Sequence, residues 1–162
     1  MESNAGVALL PAPPEVAEEL TQIAMTSKAH WGYSEAFMQS CLEELTVHQD
    51  DLLDPLNICG IAKVVDTVAG YYLLTPKLDA ERPCMELEAL FVLPEFMGQG
   101  VGQALFEDAV AQAKSRDCEA IDIQSDPSAE SFYKKMGAEK YGETPSHSIA
   151  DRKLPQLLYL VQ

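Results

Sequence analysis

Apolar positions along the chain change rhythm several times, and each change marks an element. Residues 5–10 form a short apolar run that ends at Pro11-Ala12-Pro13-Pro14, suiting an edge strand that leaves into a helix, since proline is tolerated in a first helical turn. Val16, Leu20, Ile23, Ala24 and Ser27 then recur at helical spacing, with Glu15, Glu18 and Glu19 in the opening turn, where the helix dipole favours acids. Ala29 to Tyr33 interrupt the pattern, and Ser34 is placed to cap a second amphipathic helix carrying Phe37, Cys41, Leu42 and Leu45. Residues 57–65 and 68–75 are β-branched, apolar runs divided by Asp66-Thr67, the pattern of a hairpin. A polar loop over 76–83 leads to a fourth strand at 84–93.

The second half alternates more regularly. The spacing of Leu105, Ala109 and Ala113, with Phe106 and Val110 beside them, predicts a helix over 102–116. Residues 119–124 read as a fifth strand, Asp126-Pro127 opens another helix, and Gly137 closes it. Residues 139–143 and 157–161 supply two last strands. The order is β-α-α-β-β-β-α-β-α-β-β, without internal repeat or linker, and residues 1–162 read as one domain. The fourth and fifth strands each run directly into a helix, and a site can form where two such strands diverge at their C-terminal ends.

Between the fourth strand and its helix lies Pro94-Glu95-Phe96-Met97-Gly98-Gln99-Gly100-Val101-Gly102. A glycine-rich turn at a helix start presents backbone N–H groups without intrahelical partners, a seat for phosphate oxygens, although a glycine-rich stretch also serves as an ordinary tight turn. The dinucleotide fingerprint fails because Gln103 stands where a glycine is required, and the nucleotide-triphosphatase loop fails because no Lys-Ser/Thr pair follows Gly102. The run Leu90-Phe91-Val92-Leu93-Pro94, followed by Gly98-Gln99-Gly100-Val101-Gly102 and Ala104-Leu105-Phe106, resembles the acyl-CoA pyrophosphate loop of the GCN5-related N-acetyltransferases, the GNAT superfamily. Met97 departs from the pattern, standing where the family usually has Arg or Gln. The resemblance covers the element order too, and implies an α+β fold: a mostly antiparallel sheet of about seven strands, splayed between strands four and five and flanked by four helices.

Composition narrows the partners. At 162 residues, 47% hydrophobic, the chain can bury one sizeable core, and it has no apolar stretch of membrane-spanning length. Glu2 and the lack of early Lys or Arg give no sign of a signal peptide, so a cytoplasmic protein without membrane attachment is the default. Cys41, Cys59, Cys84 and Cys118 have no metal-ligand rhythm, and His30, His48 and His147 are isolated, so no metal is expected. A net charge of −15 argues against nucleic acid. Residues 1–62 hold ten acids and a single base, Lys28. This half would attract a small cationic molecule or serve only as a solubilising face, two readings that charge alone leaves open.

What the resemblance implies for single residues is specific. Leu90, Phe91 and Val92 would hydrogen-bond a pantetheine arm through their backbone, and Gln99, Gly100, Val101, Gly102 and Gln103 would take the diphosphate. Asp126-Pro127-Ser128-Ala129-Glu130-Ser131-Phe132-Tyr133 and Gly137 are similar to the family's Asn-x-x-Ala-x-x-Phe-Tyr-x-x-x-Gly helix, in which Ser128 would offer a hydroxyl to the pantetheine arm. Tyr133 matches the tyrosine held to protonate the departing thiolate, and a phenol of pKa about 10 can serve a thiolate whose acid form lies near 8.5; a core tyrosine bonded to a carbonyl is the competing role. An ammonium acceptor must lose a proton before attack. Glu86 matches the strand-four glutamate that is the base in some members, with Glu88 the near alternative. Strand alternation puts both on one face and Leu87, Ala89 and Phe91 on the other, the two acids facing either a wet cleft or basic partners.

His30, Trp31 and Tyr33 fall in the loop that borders the acceptor pocket in the family, where the rings would hold a cation or pack the helices together. Ser146, in Pro145-Ser146-His147-Ser148, and Arg152 fall in the family's closing loop, and an inward Arg152 would suit an acceptor carboxylate. The resemblance thus implies acetyl-CoA-dependent transfer to a primary amine of a small, cationic acceptor in a ternary complex. A non-catalytic acyl-CoA-binding regulator, and acetylation of a protein N-terminus or lysine, are the rivals. Self-association as a homodimer stays open.

Overall fold

A computed structural model of the chain describes residues 6–145 and 152–161. Its strands are β1 (Val7–Pro11), β2 (Ile58–Val64), β3 (Thr67–Pro76), β4 (Cys84–Val92), β5 (Ala120–Gln124), β6 (Glu139–Pro145) and β7 (Lys153–Leu160). Helices α1 (Ala17–Ala29) and α2 (Glu35–Leu45) precede β2, α4 (Val101–Ser115) follows β4, and α5 (Glu130–Met136) follows β5. A further one-turn helix, α3 (Gln49–Leu53), sits before β2. The sequence pattern does not reveal it because five residues are too few to show a helical period; only its first turn, where the His48 N–H donates to Asp51 at 2.9 Å, marks it.

The seven strands form one sheet in the order β1-β2-β3-β4-β5-β7-β6, antiparallel throughout except for the parallel pair β4 and β5. This is the mixed α+β architecture, with four principal helices, that the sequence predicts. Each face carries its own core. On one, Leu105, Phe106, Ala109 and Ala113 of α4 and Tyr133 of α5 pack on Tyr72, Leu74, Met85, Leu87, Ile121, Ile123 and Leu157. On the other, Leu20, Ile23 and Ala24 of α1 pack on Ile61, Val68, Tyr71 and Leu73. Each buried Leu or Ile is worth about 1.5–3 kcal/mol, so the faces hold the sheet from both sides. The Tyr72 hydroxyl donates to Asp108 at 2.6 Å and pins α4 to β3.

Two local departures matter for the site. β4 carries a bulge: Leu73 faces Ala89 and Leu74 faces Leu87, leaving Glu88 without a partner on β3. The extra residue reverses the alternation. Leu87 therefore lies in the α4-side core, while Ala89 and Phe91 pack in the α1-side cluster. This corrects the expectation that Leu87, Ala89 and Phe91 share a face. The second departure is β7, which begins at Lys153 rather than near 157. Pro155 lies past the last β5 rung, Gln124 with Gln156, and its carbonyl still accepts the Ser125 N–H at 2.9 Å.

Candidate active site

The parallel ladder between β4 and β5 has only four rungs, Cys84 with Ala120 through Leu87 with Ile123. Beyond Leu87 the two strands part, and residues 88–92 present one backbone edge with no strand partner in the middle of a sheet. Unpaired backbone donors and acceptors there need a ligand or water. A cleft of about 660 Å³ opens at this point. Leu90, Phe91 and Val92 line it from β4, Gly98, Gly100, Gly102 and Gln103 from the turn into α4, and Ser128, Phe132 and Tyr133 from the turn and helix after β5.

The turn is shaped by its glycines. Gly98 and Gly100 have φ of 79° and 84°, the left-handed region that costs other residues about 1–2 kcal/mol. Gly100 is the N-cap of α4, no side chain caps that end, and the first helical bond runs from the Ala104 N–H to the Gly100 carbonyl. The N–H groups of Val101, Gly102 and Gln103 are thus without intrahelical acceptors. A Cβ on Gly102 would stand 3.4 Å from the Phe132 ring, an ordinary packing contact, so at this position the space would admit a small side chain. Side chains contribute little: Gln99 Nε2 donates to the Glu95 carbonyl at 3.1 Å, and Gln103 Nε2 to Glu107 at 3.0 Å. Val101 is buried in the α4-side core and, like Gln99, does not line the cleft. Met97 also lines the cleft, with a thioether where the family pattern has a polar side chain.

Tyr133 lies on the opposite wall, 7% exposed and packed edge-on to Phe132. Burial, and then the charge of Asp126, push its phenol above the ordinary tyrosine value, which keeps it protonated at neutral pH. Glu86 sits on the last rungs before the strands part, in register with Asp122 of β5. Burial, then the neighbouring Glu88 carboxylate, raise its pKa, and Lys77 offsets them in part. Glu88, in the bulge, is exposed and accepts the Thr75 hydroxyl at 3.2 Å. Burial also holds the thiols of Cys84 and Cys59 high, at about 11 and about 12, so neither is a thiolate at neutral pH.

Two polar clusters escape the sequence reading. Asp122, 2% exposed, accepts from Tyr141 Oη at 2.9 Å and Gln156 Nε2 at 2.8 Å and pairs with Lys77 at 3.2 Å. Its signal is the alternation Ile121-Asp122-Ile123-Gln124, which sets an acid on one face of a buried strand. The other cluster centres on Asp126. Its Oδ1 accepts the Ser128 N–H at 2.9 Å and the Ser128 hydroxyl at 2.7 Å. Tyr33 Oη donates to the same carboxylate at 2.9 Å, and Lys28 Nζ and Arg152 Nη2 stand 3.2 and 3.6 Å from Oδ2. Burial alone would raise the Asp126 pKa, but the Ser128 hydrogen bonds, the Lys28 charge and the Tyr33 hydroxyl together lower it.

The residues expected on the acceptor side are only partly together: of His30, Trp31, Tyr33 and Arg152, Trp31 alone lines the cleft. Trp31 lines the cleft, half exposed. His30 is exposed and meets Trp31 edge-on, and does not line the cleft. Tyr33 stacks on Phe37, with ring centroids 4.4 Å apart, and accepts from Arg152 at 2.8 Å. Arg152 is the residue before β7 and is already engaged by Asp126 and Tyr33. Ser146 lies outside the described residues. Among the described residues no group of three His, Cys, Asp or Glu side chains is arranged to hold a metal, and no helix is long and apolar enough to cross a membrane.

Sequence comparison gives the family. The acetyltransferase (GNAT) family pattern matches residues 18–138, about three quarters of the chain, so the chain belongs to that family. No curated relative matches it in sequence. Many solved structures share the fold. The PaiA N-acetyltransferase of Thermoplasma acidophilum, in complex with coenzyme A, is 18% identical with a TM-score of 0.76 over 95% of this chain and 98% of that one. An aminoglycoside 6′-N-acetyltransferase complexed with coenzyme A is 16% identical, with a TM-score of 0.73 over 96% and 97%. A GNAT-family acetyltransferase of Staphylococcus aureus is 15% identical, with a TM-score of 0.72 over 96% and 99%.

Proposed function

We propose that this protein is an acetyl-CoA-dependent N-acetyltransferase that transfers the acetyl group directly, in a ternary complex, to a primary amine of a small acceptor. The observation that carries the reading is the parting of β4 and β5, which opens a cleft of about 660 Å³ between an unpaired strand edge and a helix start with free N–H groups. Coenzyme A in two structures of the same fold supports it. The diphosphate would lie against the N–H groups of residues 99–103, whatever the loss of a side-chain contact at Met97. The pantetheine arm would run along Leu90, Phe91 and Val92 with Ser128 facing it, and the unpaired β4 edge would polarise the thioester carbonyl.

In this reading Glu86 removes a proton from the acceptor ammonium, directly or through water. Its partly buried position and raised pKa favour it over the solvent-exposed Glu88. The freed amine attacks the thioester carbon, the carbonyl re-forms, and the sulfur leaves as a thiolate that takes the Tyr133 proton; the new amide nitrogen then gives up its second proton to the Tyr133 phenolate, directly or through water, which restores the phenol. High thiol pKa values at Cys59 and Cys84 weigh against an acyl-cysteine intermediate at those two residues. Trp31, Tyr33 and Arg152 border the acceptor side, with His30 at its outer margin.

Calorimetric titration with acetyl-CoA, followed by measurement of free thiol over an amine panel, tests the reading. Saturable one-to-one binding and amine-dependent thiol release are expected. Absence of binding would overturn the transferase reading, and binding without release for any amine would leave a non-catalytic acyl-CoA sensor.

A further inference from the structure

Positive charge is scarce in this molecule: 11 basic residues stand against 26 acidic ones. The one base among residues 1–62, Lys28, is nonetheless placed in the cleft wall, its side chain 11% exposed. Arg152, 119 positions beyond Tyr33, comes to the same point with a side chain 20% exposed. Both cations reach one carboxylate oxygen, Asp126 Oδ2, at 3.2 and 3.6 Å, while the other oxygen is taken by Ser128. Among the described residues the ion pairs of Lys28 and Arg152 all end on Asp126. Tyr33 adds no second anion, because burial and the Asp126 carboxylate raise its pKa.

Among the described residues, two half-buried cations thus share a single counter-ion, which leaves one positive charge over. Like charges this close repel, and removing them from water carries a further cost. The stacked rings of Tyr33 and Phe37 offset part of it, with Lys28 Nζ 5.7 and 5.6 Å and the Arg152 guanidinium 5.3 and 5.0 Å from their centroids. A second carboxylate would complete the alternation of charge, and a guanidinium fork matches that group's geometry.

We infer that Lys28 and Arg152 form a seat for a carboxylate carried by a substrate, either on the acceptor amine, as in an amino acid, or at the far end of a dicarboxylic acyl group. This rests on the acyltransferase reading. The seat is assembled from the end of α1, the turn after β5 and the start of β7, apart from the glycine turn proposed for the diphosphate. It also refines the expectation of a cationic acceptor: the amine brings its positive charge, and the same molecule or its acyl donor brings a negative one.

The test begins with calorimetry on wild-type protein and acetyl-CoA; failure to bind sinks the transferase reading, and this inference with it, whatever the substrate pools show. Thiol release is then compared for a pool of the twenty amino acids against a pool of their carboxamides with acetyl-CoA. A second arm compares malonyl-CoA and succinyl-CoA with acetyl-CoA on the carboxamide pool. A preference for the carboxylate of about tenfold or more is expected in one arm, and which arm identifies its source. R152Q and K28Q should bring that ratio close to one, R152K should keep most of it, and R152Q should bind acetyl-CoA within about fivefold of wild type. The R152K and K28Q variants carry the test if R152Q does not fold. Carboxylate preference in neither arm, including no turnover of any pool, overturns the inference. So does a preference that survives both neutral substitutions, or a larger loss of acetyl-CoA affinity in folded R152Q, which would assign the cations to the coenzyme.

Discussion

The two walls of the cleft are made by different means. The wall at residues 98–103 is backbone: glycines at left-handed φ, a helix start without a side-chain cap, and glutamine side chains turned to their own neighbours. The wall at Asp126 is side chain: Lys28 and Ser128 line the cleft beside Asp126 and, with Tyr33 and Arg152 outside that lining, converge on one carboxylate. A backbone wall gives the same N–H groups whatever residues surround it, which suits a part of the ligand that never changes. A wall of side chains can be rewritten by substitution, which suits the part that distinguishes one substrate from another.

Changes at the residues proposed for proton transfer should have the largest effects. Glu86→Gln is expected to lower kcat by about 10²–10⁴-fold, the usual contribution of a general base. A carboxyl raised by burial makes the folded state lose ground as pH rises through its pKa window. The variant should therefore melt no lower than wild type at about pH 8, and in wild type kcat/KM should climb with pH above the ordinary glutamate range. A Gln variant that retains full turnover would pass the role to Glu88 or to water.

Tyr133→Phe should cost about 10²-fold in kcat with little change in the acetyl-CoA dissociation constant, because the phenol proton is needed only as sulfur leaves. Undiminished turnover would reduce Tyr133 to a core aromatic beside Phe106 and Phe132.

For the side-chain wall, Asp126→Asn is expected to destabilise the fold by about 1–3 kcal/mol at neutral pH, the scale of hydrogen bonds to a charged group. A lowered carboxyl pKa gives stability that is present above the unfolded value near 3.9 and is lost as pH falls through the folded one. Denaturant midpoints should accordingly fall more steeply between about pH 5 and 3 in wild type than in the variant. Equal slopes would mean that the network around Asp126 contributes little.

The smallest effect is expected at the backbone wall. Gly100→Ala keeps the turn at a strain of about 1–2 kcal/mol and should weaken acetyl-CoA binding about tenfold by calorimetry, with the acid-to-amide acceptor ratio unchanged. A shift in that ratio would show the walls to be coupled, and would break the division drawn between them.

The chain's own order of residues determined the helix periods of α1, α2 and α4, the apolar strands, and the glycine turn, because each depends on neighbours within a few positions. It likewise carried the Ser-Ala-Phe-Tyr helix that puts Tyr133 on the cleft. Only the folded sheet decided the rest. One unpaired residue, Glu88, moved Ala89 and Phe91 to the face opposite Leu87, since a bulge reverses every side chain beyond it. The four-rung ladder between β4 and β5 decided where the cleft opens. The meeting of Lys28, Tyr33, Asp126 and Arg152 joins segments far apart in the chain, and no local pattern records it: long-range contacts arise from how layers stack, which is a property of the whole chain.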